Sequence, residues 1–191
     1  VHIFGCPVDL DPIMEICKEF KLVLIEDAAE SLGSYYKDQH TGNKGILSAM
    51  SFNGNKVITA GGGGAIFTHD LELAGLAKHL TTTAKTSHLW GYFHDRIGYN
   101  YRLPNINAAI GCAQLEKLPE FLDQKRKLSL NYKRRFEGME GFKFFTEPEF
   151  CKSNYWLNSL ILDPENTKHL TPLLKLTNRI GIMTRPIWEP M

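Results

Sequence analysis

Four consecutive apolar residues, Leu22-Val23-Leu24-Ile25, run straight into Glu26-Asp27, and this constrains the chain more than any other feature. An unbroken apolar run, in place of alternation, is what a strand covered on both faces of a parallel sheet requires. Parallel strands in turn need helical crossovers between them. One is signalled just upstream. Asp11-Pro12 offers an N-cap and a proline at the first helical position, and Ile13, Ile16, Cys17 and Phe20 recur at helical spacing, which predicts a helix over residues 12–20. Asp27 then falls at the carboxyl end of the strand, where open α/β sheets bind their ligands.

Strand and helix signals go on alternating. Residues 34–43 are polar with a Tyr35-Tyr36 pair and predict a loop or hairpin. A short strand over 48–52, glycines 61–64, a further strand over 65–68 and a helix over 71–80 follow. Residues 81–101 lack periodicity and are rich in aromatic and polar side chains, as in a long functional loop. Asn105 can cap a long helix whose apolar face includes Ile106, Ala109, Ile110, Ala113 and Leu115. Pro119 interrupts or kinks it before Phe121, Leu122, Lys125, Leu128 and Tyr132 continue the pattern to Phe136. Gly138 to Gly141 marks a boundary, after which 155–162 predicts a strand, 170–180 a helix and 182–184 another strand. The expected organisation is residues 1–137 as a mixed, mostly parallel α/β domain with its long connecting helix, and residues 138–191 as the start of a smaller α/β domain. Val1 to Gly5 reads as a strand already in progress, and the apolar, turn-forming stretch 181–191 stops where a strand or loop would continue. Both ends look cut from something longer.

Composition narrows the partners. With 22 basic and 21 acidic residues the formal charge is +1, which builds no field favouring nucleic acid or an anionic membrane. No run approaches the roughly 18 apolar residues of a membrane span. Cys6, Cys17, Cys112 and Cys151 form no CxxC pair or metal-ligand spacing, so free buried thiols in a reducing, cytoplasmic setting are expected. His79, His88 and His94 likewise match no metal-ligand pattern.

The chemistry centres on Lys56, in Ser51-Phe52-Asn53-Gly54-Asn55-Lys56, ahead of four glycines. A lysine held on such a turn can form an imine with an aldehyde, and an aspartate at the end of an apolar strand can keep a pyridine nitrogen protonated. Together they are the minimum apparatus of a pyridoxal-phosphate (PLP) enzyme. Plainer readings stand beside this one. Lys56 could be a solvated loop charge, Asp27 could cap a helix beginning at Ala28, and Ser51 could be an ordinary strand-end hydroxyl. The glycines are not a phosphate-binding P-loop, because no lysine follows them directly.

Ile25-Glu26-Asp27-Ala28-Ala29-Glu30-Ser31-Leu32-Gly33-Ser34, Ser51 to Lys56, Gly62-Gly63-Gly64, and Gly98-Tyr99-Asn100-Tyr101-Arg102 with Asn107-Ala108-Ala109 resemble, in order, the motifs of the DegT/DnrJ/StrS sugar aminotransferases. The wording around Lys56, with Leu80-Thr81-Thr82-Thr83-Ala84-Lys85, is most similar to the branch that makes 4-amino nucleotide sugars of the legionaminic-acid type. The resemblance implies part of a fold-type I PLP-dependent transferase, taking a nucleotide-linked 4-keto-6-deoxy sugar with glutamate as amino donor. It also implies a homodimer with shared active sites. Lys56 would anchor the cofactor and move the proton, Asp27 would hold its ring nitrogen, and Ser51 its phosphate. Asn100 and Arg102 would reach the phosphate in the neighbouring subunit. Glu30 departs from the family pattern, where many relatives carry glutamine or histidine near the phenolic oxygen of the cofactor. A carboxylate there would repel that oxygen unless protonated or turned away. The rivals are a dehydratase of the same family, in which histidine replaces the lysine, and a truncated, non-catalytic dimer partner.

Overall fold

The computed structural model describes residues 1–189, so Pro190 and Met191, the last two residues of the expected small domain, lie outside the described residues. In chain order the elements are α1 (Leu10–Glu19), β1 (Ile25–Asp27), β2 (Tyr35–Tyr36), β3 (Gln39–His40), β4 (Leu47–Ser51), β5 (Gly64–Phe67), α2 (Leu71–Thr81), α3 (Asn105–Glu116) and α4 (Leu118–Phe136). Then come β6 (Phe142–Phe144), β7 (Cys151–Lys152), β8 (Leu160–Leu162) and α5 (Leu170–Arg179). Two compact units emerge: residues 1–128 with 147–157, and residues 129–146 with those from 158 onward. This division falls inside α4, where the sequence punctuation suggests 137/138. The cause is a fork: Arg126 makes two bonds to Glu147 (2.5 and 3.1 Å) and one to the Ser153 carbonyl (3.0 Å), which ties 147–157 to the first half of α4.

The main sheet of the first unit has the order β1-β4-β5. β1 runs parallel to β4 with Asp27 opposite Ala49, and β5 returns antiparallel with Gly64 opposite Ser51. The sheet is mixed, and parallel pairing among the described residues is confined to β1 and β4. A second small sheet, β3-β2-β7, pairs the expected 34–43 hairpin with Cys151–Lys152. In the second unit, β6 and β8 pair antiparallel, and Tyr132, Phe136 and Phe144 stack while Phe142 meets Phe136 edge-on, in one aromatic cluster at centroid distances of 5.3–6.2 Å.

Glu26 holds this first unit together. Alternation along β1 turns Asp27 outward and Glu26 inward, where its side chain is buried. Its carboxylate accepts the backbone N–H groups of Gly42 (2.9 Å), Lys44 (2.7 Å) and Gly45 (2.6 Å). His2 Nε2 donates a fourth bond at 2.9 Å, and its Nδ1 accepts the Val8 N–H. Burial alone would raise this carboxyl's pKa. The His2 ring and the three N–H groups outweigh it and hold the value at about 2.

Several local expectations change. Residues 3–5 form a single 3-10 turn, not a strand, with Phe4 at φ 55°. The first helix begins at Leu10, two residues before the expected start, and Asp9 at its N-cap position makes no capping bond because its carboxylate accepts the Tyr36 hydroxyl (2.7 Å). Asn105 starts α3 behind Pro104 and does not cap it, and the chain breaks at Lys117, so Pro119 sits in the first turn of α4 and interrupts nothing. Leu22 and Val23 precede β1 and stay exposed, as does Ile25 at this sheet edge, because no element among the described residues covers them. Residues 182–184 form no strand. The four cysteines are free, but none is fully buried; Cys112 is exposed, and the fold brings Cys6 Sγ to 3.9 Å from Cys151 Sγ. Among the described residues no helix is long and apolar enough to cross a membrane, and no group of His, Cys, Asp and Glu is arranged to hold a metal ion.

Holding Glu26 at about 2 against an ordinary 4.5 corresponds to about 3 kcal/mol of folding stability. Because the folded value is depressed, that contribution is complete above pH ~4.5 and is lost as pH falls toward ~2. Glu26→Gln in the full-length protein is therefore expected to cost about 3 kcal/mol in urea unfolding at neutral pH and to flatten the acid limb of the stability profile. An unchanged midpoint and acid limb would remove Glu26 from this role.

Candidate active site

The lysine loop is closed at its neck and irregular within. Just past Ser51, the Phe52 N–H bonds to the Gly63 carbonyl (2.9 Å) and the Ala60 N–H to the Phe52 carbonyl (3.0 Å), which pinches off residues 53–60. The glycine run makes this possible where β5 meets β4: a Cβ on Gly64 would lie 2.3 Å from the Met50 carbonyl oxygen. Inside the loop the Lys56 N–H closes a turn on the Asn53 carbonyl (3.1 Å), and from α3 the Asn107 amide holds the Ala60 carbonyl (2.6 Å).

The Lys56 side chain is mostly covered, at 15% exposure. Its Nζ lies 3.7 Å from Glu30 Oε1 and 4.1 Å from the centroid of the Trp156 ring. Glu30 is itself pinned, because its other oxygen accepts the Phe4 N–H at 2.7 Å. Trp156 is buried and held at three points. Its indole N–H donates to the Asn55 carbonyl (2.6 Å), its backbone N–H to Asn154 Oδ1 (2.8 Å), and its carbonyl accepts from Lys125 Nζ (3.0 Å). Burial pulls the Lys125 ammonium below the usual lysine range.

Asn154 sets the position of this return segment. Its amide donates to the carbonyls of Glu30 (2.8 Å) and Leu32 (2.9 Å), and its backbone N–H donates to Ser34 Oγ (2.9 Å), which passes its own hydrogen to the Gly5 carbonyl (2.6 Å). Gly5 has φ +88°, and a Cβ there would stand 1.7 Å from Asn154 Oδ1. Only glycine fits. Neither Asn154 nor Trp156 stands out in the sequence, where 155–162 reads as a strand of the second domain. No local signal in the sequence marks either residue.

The other expected site residues divide into two places. Asp27 ends β1, Ser51 ends the adjacent parallel β4, and the two therefore leave the same edge of the sheet. No helix begins at Ala28; Asp27 Oδ1 accepts the Ala29 N–H (3.1 Å) in a tight turn, so helix capping is not its role. Ser51 Oγ accepts the Asn53 N–H (3.3 Å), which leaves its own hydrogen to donate elsewhere. Glu30 is turned to Lys56. Asn100 and Arg102 form a separate pair: Arg102 bonds Asn100 Oδ1 (3.2 Å) and the Thr82 carbonyl (3.0 Å) past the end of α2, with no contact to Lys56. An open groove of about 950 Å³ across β5 includes Gly63, Phe67, Arg102 and Asn107 but neither Lys56 nor Asp27. Of the expected site residues Arg102 lines it, while Lys56, Asp27, Glu30 and Ser51 do not.

Comparison with known proteins adds independent findings. The sequence profile of the DegT/DnrJ/EryC1/StrS aminotransferases matches residues 1–191. The GDP-perosamine synthase of Escherichia coli O157:H7 is 37% identical over 100% of this chain and 51% of its own length. The UDP-4-amino-4,6-dideoxy-N-acetyl-beta-L-altrosamine transaminase of Campylobacter jejuni (strain 81-176) is 33% identical over 97% of this chain and 50% of its own. Among solved structures, Helicobacter pylori PseC, an aminotransferase of pseudoaminic acid biosynthesis, superposes with a TM-score of 0.93 at 26% identity, covering 99% of this chain and 51% of that one. The chain thus spans about half the length of the relatives it matches.

The clasp gives two expected outcomes. Asn154→Ala strands two carbonyls and one N–H, and should lower the stability of the full-length protein by about 3 kcal/mol. Gly5→Ala should cost about 2 kcal/mol or more through the clash and the positive φ. Both should speed hydrogen exchange at residues 30–34 and 153–157 ahead of β4 and β5. Exchange that stays unchanged in those segments would show that Asn154 does not hold them.

Proposed function

Because this chain belongs to the DegT/DnrJ/EryC1/StrS aminotransferase family, we propose that it is the lysine-bearing part of a PLP-dependent enzyme that aminates a nucleotide-linked keto sugar. The carrying observation is the Lys56 amine, enclosed beside the turn that begins at Asp27 and ends at Glu30. The donor set suits PLP. An amine suits its aldehyde, an exposed carboxylate at a strand end suits its ring nitrogen, and a hydroxyl with a hydrogen to give suits its phosphate.

When bound, PLP supplies an electron sink for the charge released as a proton leaves the carbon bearing the amino group. The chain's residues do the rest. Lys56 would anchor the cofactor and then, once freed, take the proton from the α-carbon of the donor and deliver it to C4′ of the cofactor, its amine serving first as base and then as acid. Asp27 would keep the ring nitrogen protonated, and its place in the turn to Ala29 fixes the direction of the carboxylate. Ser51 would donate to the phosphate. Asn100 and Arg102, bonded to each other and through Arg102 to the Thr82 carbonyl, suit the phosphate of a partner subunit in a homodimer with shared sites. Glutamate is the proposed amino donor and a 4-keto-6-deoxy sugar nucleotide the acceptor, which accords with the 4-amino sugars named for the relatives. The lysine at 56 favours transamination over the dehydratase alternative.

Full-length protein mixed with PLP is expected to gain a visible absorption band, borohydride should fix the cofactor on Lys56, and Lys56→Ala should abolish the adduct. With glutamate and the sugar acceptor, 2-oxoglutarate and an aminated sugar should appear together. Loss of water without amination would assign the dehydratase reading, and the absence of any band would assign the non-catalytic dimer partner.

A further inference from the structure

Trp156 addresses Lys56 twice, once through each chemical face of the indole. The ring face lies 4.1 Å from Nζ, well inside the range at which an aromatic quadrupole attracts an ammonium. The ring N–H grips the carbonyl of Asn55, the peptide immediately before the lysine. One side chain therefore holds both the backbone root and the charged tip of Lys56. Glu30 provides the second wall at 3.7 Å, with its other oxygen tied to Phe4. Both walls are rigid: Trp156 is 3% exposed and anchored by Asn154 and Lys125, and the Asn154 amide also binds the backbone of Glu30.

We propose that Trp156 and Glu30 form a seat for the Lys56 ammonium, occupied whenever the amine is not bonded to cofactor. This rests on the functional reading above. A lysine that both anchors a cofactor and moves a proton is released in each turnover, and its four-carbon stem leaves it many rotamers on release. A seat of opposite charge and aromatic surface keeps the tip within reach and out of water. Trp156 and Glu30 are thus positioning residues acting through Lys56. The same arrangement gives Glu30 a role in this chain: its carboxylate faces an ammonium.

The test reads the seat without cofactor. Full-length protein is treated briefly with acetic anhydride, which attacks only unprotonated amines, and labelling of Lys56 is measured by mass spectrometry relative to the exposed Lys117 and Lys127. Trp156→Leu should raise relative labelling of Lys56 about fivefold and Glu30→Gln about threefold. Trp156→Phe keeps an aromatic face but loses the N–H, and should restore most of the protection. Unchanged labelling in both Trp156→Leu and Glu30→Gln would overturn the seat. Trp156→Phe labelling as fast as Trp156→Leu would overturn the ring-face assignment and leave the Asn55 hydrogen bond as the cause. Should Trp156→Leu unfold, Glu30→Gln and Trp156→Phe carry the decision. A protein that protects Lys56 in this way yet forms no visible band with PLP would fail the functional reading alone.

Discussion

A single buried carboxylate, that of Glu26, underlies the geometry of the first unit. Three backbone N–H groups and one imidazole converge on it. A buried charge is tolerated only when its lone pairs are met, and here the partners come from residue 2 and from residues 42–45, so satisfying the charge requires those segments to meet. The loop before β4 is thereby fixed against β1, and the Ile46 N–H reaches the Leu24 carbonyl just before that strand. The parallel register of β1 and β4 follows, and with it the emergence of Asp27 and Ser51 from one edge. Because side chains alternate along a strand, the inward aim of Glu26 is what turns Asp27 outward.

A second constraint acts from a distance. Residues 53–60 have no helix or strand to stiffen them, and the pinch at Phe52 fixes only their ends. Their middle is held by residues about a hundred positions later: Trp156 grips Asn55, and Asn154 carries Trp156 while binding the backbone of the turn that bears Glu30. The loop and the turn are thus referenced to the same asparagine. A lysine on an otherwise soft loop acquires a defined position relative to a turn 26 residues before it.

What could be read from the residues alone was whatever repeats or stands at a fixed spacing. The apolar run before Glu26 located a strand, the helical spacing over residues 71–80 located α2, and Lys56 with its glycines singled out the loop after β4. Apolar periodicity reports which face is covered, so it found helices to within a turn. It overstated the first strand, since a continuous apolar run does not say whether anything packs on it. Buried polar groups were out of reach for a different reason. Glu26 looks like any acidic residue until His2 and the 42–45 backbone surround it, and Trp156 looks like strand filler until Asn55 takes its N–H. Such residues are defined by partners that no local window contains.

Glu30 brings these threads together. As a departure from the family pattern it looks like a liability beside an anionic cofactor oxygen. Its surroundings give it another use. The side chain is 11% exposed and holds the Phe4 N–H, one neutral donor, which is little compensation for a carboxylate taken out of water. The Lys56 ammonium supplies the rest. In the proposed seat the two groups would support each other: the Lys56 amine stands 3.7 Å from the second oxygen of Glu30 and 4.1 Å from the centre of the Trp156 ring. When the amine is engaged elsewhere, Glu30 loses its main counter-charge and needs another donor. On the proposed reading, the return of the amine to its seat would be favoured by the same desolvation that makes an unpaired Glu30 costly.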